Sequence, residues 1–552
     1  MRSPLGLLPL ALVLAACASG APASLPSPAT GPTATEPMTA APTRALTTTS
    51  TPMAPAELIT SAPDAWQLMD LGEDRVPGVS ADRAYRELLA DRQPAREVIV
   101  AVIDGGIDTL HVDLRGSLWQ NPGETPGNGF DDDGNGYVDD VYGWNFIGGA
   151  DGRNVRHETL EVTRMYARCE RGESLPAGLD CSAVSSEYEE RATEVEQTLA
   201  QVDQLQQALE FATSTLLVVV PTDELTPEVV EAIRPGTQRV SQARDIYLQL
   251  REGGLTMEVL VEAQEAYEGL AEYGLNTEFN GREIVGDDFE DGNESAYGNR
   301  DVMGPDAKHG THVAGIIGAM RGNDEGIDGI GANVRLMTIR TVPDGDERDK
   351  DVANAIRYAV DNGANIINMS FGKTHSPRKS LVDAAIRYAD EAGVLMIHAA
   401  GNDGENLDDN ANFPTPVYDD GGRAENWIEI GAANWMVDSL AATFSNYSQT
   451  RVDVFSPGVA ILSTVPGSEY KQEDGTSMAA PVVSGVAALL MAYFPELSAS
   501  DVRRILLDSS VKYGDDMVPQ PGSGTAVPFG TLSVTGGVVN AYEAVRMALA
   551  RM

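Results

Sequence analysis

Cysteine is scarce in this chain, with three in 552 residues. That is too few for a disulfide scaffold. Basic side chains are scarce as well: 39 Lys and Arg stand against 83 Asp and Glu, a formal charge of −44. Nucleic acid and anionic membrane surfaces need basic patches, so this balance argues against both as partners. It favours solubility and points to cations as neutralising ligands. Long apolar runs are missing too. Beyond the N-terminus no stretch reaches about eighteen uninterrupted apolar residues, so no second membrane segment is expected. Core material is not lacking. Hydrophobic residues make up 42% of the chain, an ordinary globular share that excludes full disorder. At about 150 residues per domain, the length permits three or four domains or one large α/β domain with insertions.

Residues 1–17 read as an export signal. Arg2 is followed by an apolar run, Leu5 to Ala16, too short to span a bilayer, and then by Leu14-Ala15-Ala16-Cys17. The segment resembles a bacterial lipoprotein signal, which implies that Cys17 is lipidated after cleavage; an ordinary signal peptide cut near Ala18 is the alternative. Residues 18–56 are rich in Ala, Pro, Thr and Ser and are expected to form a flexible tether. Leu58 to Arg96, with Trp66 and the stretch Val76 to Leu89, reads as an N-terminal arm over residues 57–96 that packs on the core. Cys169 and Cys181 lie twelve apart in an exported chain, so a local disulfide is expected. A reduced pair or a metal pair is the alternative, although no neighbouring His or Cys supports metal.

From about Glu97 short apolar runs alternate with helical segments. Val98 to Val102 leads into Ile103-Asp104-Gly105-Gly106, and similar runs recur at Val334 to Ile339, Ala364 to Ser370 and Val394 to Ala400. Helical patterns lie between them, at Asp349 to Asn362 and Pro377 to Ala392. This alternation predicts βαβ units and a mainly parallel sheet, with active groups at the carboxyl ends of the strands. Asp104, Ser370 and Asn402 each follow such a run. Residues 155–290 break the pattern. Val195, Leu199, Val202, Leu205 and Leu209 recur at helical spacing, and Thr226-Pro227 and Thr256 look like helix starts. The region is read as a helical insertion within an α/β domain formed by 97–154 and 291–552.

Three motifs carry chemistry: Asp104-Gly105-Gly106-Ile107-Asp108, His309-Gly310-Thr311-His312-Val313-Ala314-Gly315, and Gly475-Thr476-Ser477-Met478-Ala479-Ala480-Pro481. A hydroxyl needs a base to become a nucleophile, and an imidazole oriented by a carboxylate supplies one. A serine at a helix start also offers backbone N–H groups to a developing oxyanion. Each residue alone has a duller reading: turn former, surface or packed histidine, helix cap.

Jointly, the motifs and their Asp–His–Ser order resemble the subtilisin family of serine endopeptidases over about Val98–Gly149 and Gly298–Ala548. The resemblance implies a three-layer subtilisin-like α/β fold, with Asp104 orienting His309, His309 acting as general base and acid, and Ser477 as nucleophile. It makes Asn402, in Ala399-Ala400-Gly401-Asn402, the oxyanion donor. Ser370, Phe371 and Gly372 would form one substrate-binding wall and Ala400 and Gly401 the other, around a roomy pocket for large apolar side chains. Two departures stand out. Gly105 replaces the family's usual Ser or Thr, and Asp104 and His309 are 205 residues apart. The insertion accounts for the second, so its ends should lie close together.

The run Asn128 to Asp140 alternates oxygen donors with glycines. Asp131, Asp133, Asn135, Tyr137 (through its carbonyl) and Asp139 are the expected ligands of a structural calcium ion, although the run is not a full EF-hand. Resemblance also implies a second calcium site at Asp113, with Asn323 as a ligand. Acidic residues 403–409 and 287–291 read as solvated loops. Together these features predict an envelope-anchored, calcium-dependent serine endopeptidase acting on protein or peptide substrates, held to a membrane by its N-terminal lipid or released outside the cell. The rival readings are a silent or latent protease-fold scaffold that binds through the insertion, and a processing enzyme that uses the insertion as an exosite.

Overall fold

The structure is a computed structural model that describes residues 61–176, 178–220, 222 and 225–552. The export signal with Cys17 and the tether at 18–56 lie outside the described residues.

The strands are β1 (Val98–Asp104), β2 (Gly143–Asn145), β3 (Val334–Arg340), β4 (Ile366–Met369), β5 (Leu395–Ala399), β6 (Trp427–Ala433) and β7 (Val454–Pro457), followed by a hairpin of β8 (Ile461–Val465) and β9 (Glu469–Glu473). Four short strands complete the set: β10 (Val511–Lys512), β11 (Met517–Pro519), β12 (Ala526–Pro528) and β13 (Gly537–Val538). The central sheet has nine strands in the order β10-β13-β7-β6-β5-β4-β1-β3-β2. Every pairing in it is parallel except β10 with β13.

Parallel strands are covered on both faces, so their sequences are apolar at every position. On β1, alternate side chains serve opposite layers. Val98, Val100 and Val102 pack with the helices Lys308–Gly318 and Thr476–Tyr493, whereas Ala101 and Ile103 face Asp349–Asp361 and Lys379–Glu391. The result is a three-layer α/β/α core. Thr476–Tyr493 is long and apolar enough to cross a membrane, yet 94% of it is buried as the spine of that core. Register aligns three strand ends. Asp104 pairs with Arg340, and Ile103 with Met369, so the residues that follow β1, β3 and β4 emerge on one side of the sheet.

The N-terminal arm packs where its apolar residues lead it. Trp66 is fully buried and its Nε1 donates to the Val459 carbonyl (2.8 Å), while Ala541 N bonds the Val79 carbonyl (2.7 Å).

The insertion is helical. Its main elements are Glu161–Glu170, Cys181–Val219, Pro227–Glu231, Gln238–Glu252 and Met257–Gly269. Thr226, Thr237 and Thr256 cap three of them by accepting from Val229, Val240 and Val259 N–H. Leu205, Leu209 and Leu216 close a separate core with Tyr247, Leu250 and Leu260. The Cys169 and Cys181 sulfurs are bonded, which ties the first helix to the long one. The two ends meet: Leu160 N and Thr163 Oγ1 both donate to the Gly274 carbonyl at 2.8 Å. Buried ion pairs root these ends on the α/β core, Glu158 to Arg348 (2.9 Å), Glu161 to Lys373 (2.8 Å) and Lys350 to Asp287 (2.7 Å).

Helix Lys308–Gly318 is clamped to the hairpin. Ser463 Oγ and Thr464 Oγ1 donate to the carbonyls of His312 and Thr311 (both 2.7 Å), and His312 Nε2 donates to the Lys471 carbonyl (2.9 Å). His312 is fully buried and its Nδ1 has no hydrogen-bond partner. Burial therefore lowers its pKa to about 4. Above pH ~6.5 the ring is neutral both folded and unfolded and contributes nothing. As pH falls below that, the unfolded ring takes a proton that the folded ring refuses until about pH 4. Stability is expected to fall across this window by about 3 kcal/mol from this residue. Denaturant titrations from pH 7 to 4 check this: His312→Gln should flatten the slope, and an unchanged slope would contradict the assignment.

Candidate functional site

Asp104 ends β1 with its side chain 2% exposed, and His309 opens the helix Lys308–Gly318 with 20% exposure. His309 Nδ1 donates to both Asp104 oxygens, at 2.9 and 3.0 Å. A carboxylate only accepts, so Nδ1 carries the hydrogen and Nε2 is left as the basic nitrogen. Glycine makes this approach possible. A Cβ on Gly310 would lie 2.2 Å from the Gly106 carbonyl oxygen and 3.0 Å from Asp104 Oδ1. The side-chain donor absent at position 105 is offset by backbone, because Gly105 N donates to Asp104 Oδ1 at 2.7 Å. Beneath the turn, Arg340 is 1% exposed and donates from Nε to the Gly105 carbonyl (2.7 Å). Its position in β3 gave no signal in the sequence.

Ser477 lies in the first turn of Thr476–Tyr493, 8% exposed, after a Gly475 at φ +153°. Its hydroxyl donates to the Ser370 carbonyl (3.2 Å), and Ser370 Oγ donates back to the Ser477 carbonyl (2.9 Å). Asn402 is held by Thr476, whose N–H and hydroxyl both donate to Asn402 Oδ1 (2.8 and 2.9 Å). Those donors require the amide oxygen, which leaves Nδ2 as the donating end.

The walls are braced by two asparagines that sequence reasoning missed. Asn446 Nδ2 donates to the Ala400 carbonyl (3.0 Å) and its Oδ1 accepts from Asp403 and Glu405 N–H. Asn412 Nδ2 donates to the Ala399 carbonyl (3.1 Å). Gly372 and Gly401 are where these side chains pass, since a Cβ there would come within 2.2 Å of Asn412 Oδ1 and 2.4 Å of Asn446 Nδ2. Ser370, Phe371 and Ala400 are buried, and Gly372 and Gly401 half-buried.

In the acidic loop the expected ligands also accept from the loop's own backbone. Asp131 spends its oxygens on the N–H groups of Gly134, Asn135 and Gly136, and Asp139 on those of Asn128 and Gly129 and on Arg300. Asn135 Oδ1 accepts from Tyr137 N–H, and the Tyr137 ring joins Trp144, Phe146 and Tyr358. Of the expected residues only Asp133 converges with other carboxylates. Its partners are Glu124 and Asp140, all three offering oxygens within 4.8 Å of one another. Glu124 Oε1 accepts from Asp132 N–H, but Glu124 Oε2 is buried without a hydrogen-bond partner. Asp133 and Asp140 also accept from Asn121 and Asn135, so the orphaned Glu124 oxygen is what makes this cluster a candidate donor set for a hard cation.

At the second expected site Asp113 and Asn323 meet each other. Asn323 presents its amide nitrogen to Asp113 Oδ1 (2.8 Å), and Ile327 N and Tyr470 OH donate to Oδ2. Asp113 and Asn323 are thus brought within hydrogen-bond distance, and both Asp113 oxygens accept from protein donors.

Comparison with known proteins agrees with this architecture. Residues 95–524 match the model of the subtilase family, Peptidase_S8. A thermophilic serine proteinase from Bacillus sp. (strain AK1) is 36% identical over 270 residues, 49% of this chain and 58% of that protein. Subtilisin DY from Bacillus licheniformis is 36% identical over 210 residues, 38% of this chain and 72% of that protein. Among solved structures, proteases from Pseudoalteromonas arctica align over 88% of this chain and 98% of theirs, at 18% identity and a TM-score of 0.46, a likeness that adds nothing to the family match. With its family model matched over most of its length, the chain belongs to the subtilase family.

Proposed function

We propose that the protein is a serine endopeptidase that works through Asp104, His309 and Ser477. The observation that carries this reading is the two-oxygen grip of Asp104 on His309 Nδ1, on the same sheet edge as a serine at a helix start. In the reaction the Ser477 hydroxyl turns from the Ser370 carbonyl toward His309 Nε2. As Nε2 takes the proton, Oγ bonds to the scissile carbonyl carbon. Asn402 Nδ2 and the Ser477 N–H stabilise the oxyanion. The C–N bond breaks as His309 returns its proton to the leaving amine, and water then hydrolyses the acyl-enzyme by the same base. The peptide backbone pairs with Ser370–Gly372 as an added strand. Asp104, His309, Ser477 and Asn402 are all present, which weighs against a silent scaffold. Asn402→Ala is expected to lower kcat by about 10²–10³-fold with little change in KM. Steady-state kinetics on a peptide amide check this, and a loss confined to KM would contradict the oxyanion role.

The same reading places the enzyme outside the cytoplasm, lipid-anchored through Cys17. Its support is the sequence of the first seventeen residues and the Cys169–Cys181 bond, which persists in oxidising compartments. Calcium is the proposed structural ion, held by Glu124, Asp133 and Asp140. When bound it neutralises three crowded carboxylates and fixes the loop beside β2. Calcium at a hundredfold its Kd should add about 2.7 kcal/mol to the unfolding free energy. Thermal melts with calcium and with a chelator should separate for the native chain and coincide for Glu124→Gln; equal separation in both would reject this ligand set.

A gating role for the insertion is favoured by where its charges sit. Glu262 pairs with Lys471 (2.5 Å) and approaches Lys308, the neighbour of His309, at 3.7 Å. Glu187 pairs with His375 (2.8 Å), three residues beyond Gly372. These are half-exposed contacts on both flanks of the cleft, open to salt screening. Glu262→Lys, or added salt on the native chain, should raise kcat/KM for a protein substrate several-fold and leave a small ester substrate unaffected. Equal responses from the two substrates would reject the gate.

A further inference from the structure

We infer that His398 is a positioning residue for substrate binding, which orients the Ser370–Gly372 wall from behind. The inference rests on reading that wall as the strand that pairs with substrate. His398 lies in β5 and is completely buried. Its Nδ1 faces Glu429 Oε1 at 2.8 Å, and its Nε2 faces the Phe371 carbonyl oxygen at 2.9 Å. Glu429 is its register partner on β6, and the other Glu429 oxygen accepts from Trp427 Nε1 (2.8 Å). No part of this arrangement touches the triad.

The proton logic is closed. A backbone carbonyl can only accept, so Nε2 must carry a hydrogen. Glu429 makes that compatible with the other side of the ring. Either Nδ1 also carries a hydrogen and donates to the carboxylate, or the carboxyl donates to Nδ1; in both cases Nε2–H points at Phe371. The carbonyl makes Nε2 the donating nitrogen, and the buried acid at Nδ1 holds the ring in that orientation.

The consequence lies in backbone direction. Successive carbonyls of an extended segment point to opposite sides. The Ser370 carbonyl faces the cleft and accepts from the Ser477 hydroxyl. The Phe371 carbonyl faces the core and is captured by His398. With that carbonyl held, the Phe371 peptide cannot flip, and the Ser370 and Gly372 groups stay turned outward for a substrate strand. His398 also determines what lies behind the pocket wall: an imidazole edge against the Phe371 ring (6.4 Å between centroids) and the Trp427 ring (5.3 Å).

The test uses the full chain with Ser477→Ala, so that binding is read without turnover, and an octapeptide with a large apolar residue at its centre as the probe. His398→Phe is made together with Glu429→Gln, so that no buried carboxylate loses its partner. The expected result is an affinity about tenfold weaker, the loss of one well-placed hydrogen bond. Glu429→Gln alone keeps an N–H for Nδ1 and should lose no more than about twofold. His398→Gln with Glu429→Gln restores an N–H donor toward Phe371 and should recover most of the loss. Equal affinity in all these variants would overturn the inference, as would a Glu429→Gln loss as large as that of His398→Phe. With Ser477 present, a small fluorophosphonate, which needs the triad but no paired strand, should label the His398→Phe double variant with less impairment than its peptide affinity shows. Labelling and peptide binding lost in equal measure would also overturn it, because the damage would not be confined to the wall. Absence of labelling even with every other residue native would overturn the protease reading and this inference with it.

Discussion

The rest of the molecule depends on one hydrogen-bonded contact, His309 Nδ1 to the Asp104 carboxylate. Its partners are 205 residues apart in the chain. The fold closes that gap by ending β1 at Asp104 and starting a helix at His309, with Gly310 and Gly106 stripped of side chains where the helix meets the turn. Backbone donors and Arg340 fix the turn from below, so the carboxylate does not rely on a neighbouring hydroxyl. Most of the intervening residues leave and return at one point, the Gly274 carbonyl. A long excursion with tied ends adds only slowly to loop-closure entropy, which is how an insertion this large can separate Asp104 from His309 in sequence without separating them in space.

Charge is divided between two uses. Where the insertion meets the α/β core the ion pairs are buried, and breaking one by removing a partner costs about 3–5 kcal/mol, because it strands a desolvated charge. Along the cleft the pairs are half-exposed and weak, so they can exchange with solvent and salt. The insertion therefore has buried pairs at its root and half-exposed pairs at its far contacts, the distribution the proposed gate requires. Among the described residues the surplus of acid elsewhere includes a dense knot at Glu124, Asp133 and Asp140, the proposed cation site.

What was legible in the sequence follows from which signals are local. Val98–Val102 and Val334–Ile339 announce parallel strands because burial on both faces makes every position apolar. Thr226 and Thr256 announce helix starts because a cap acts within three residues. Strands β6 and β7 escaped notice: Glu429 interrupts the first, and the second offers only Val454 and Phe455 before Ser456 and Pro457. Glu429 is tolerated there because His398 and Trp427 meet it, a fact that no local pattern contains. The proposed triad residues and Asn402 stand in extended motifs, which is why sequence singles them out. Their supports, Arg340, Asn412, Asn446 and His398, are single polar residues whose partners come from distant elements. The acidic loop was half legible. Its composition pointed to a cation, but even spacing could not reveal that Asp131 and Asp139 would turn to backbone N–H groups while Glu124 and Asp140 converged with Asp133. At Asp113 the meeting with Asn323, 210 residues away, was legible only through the family resemblance.

The central claim is that Ser477 is made nucleophilic by His309 and Asp104. The most direct measurement is fluorophosphonate labelling of the purified chain, with the modified residue located by peptide mass spectrometry and with Ser477→Ala and His309→Ala as controls. The account predicts covalent labelling of Ser477 alone, abolished in both variants. Labelling at another serine, or labelling of Ser477 that persists without His309, would contradict it.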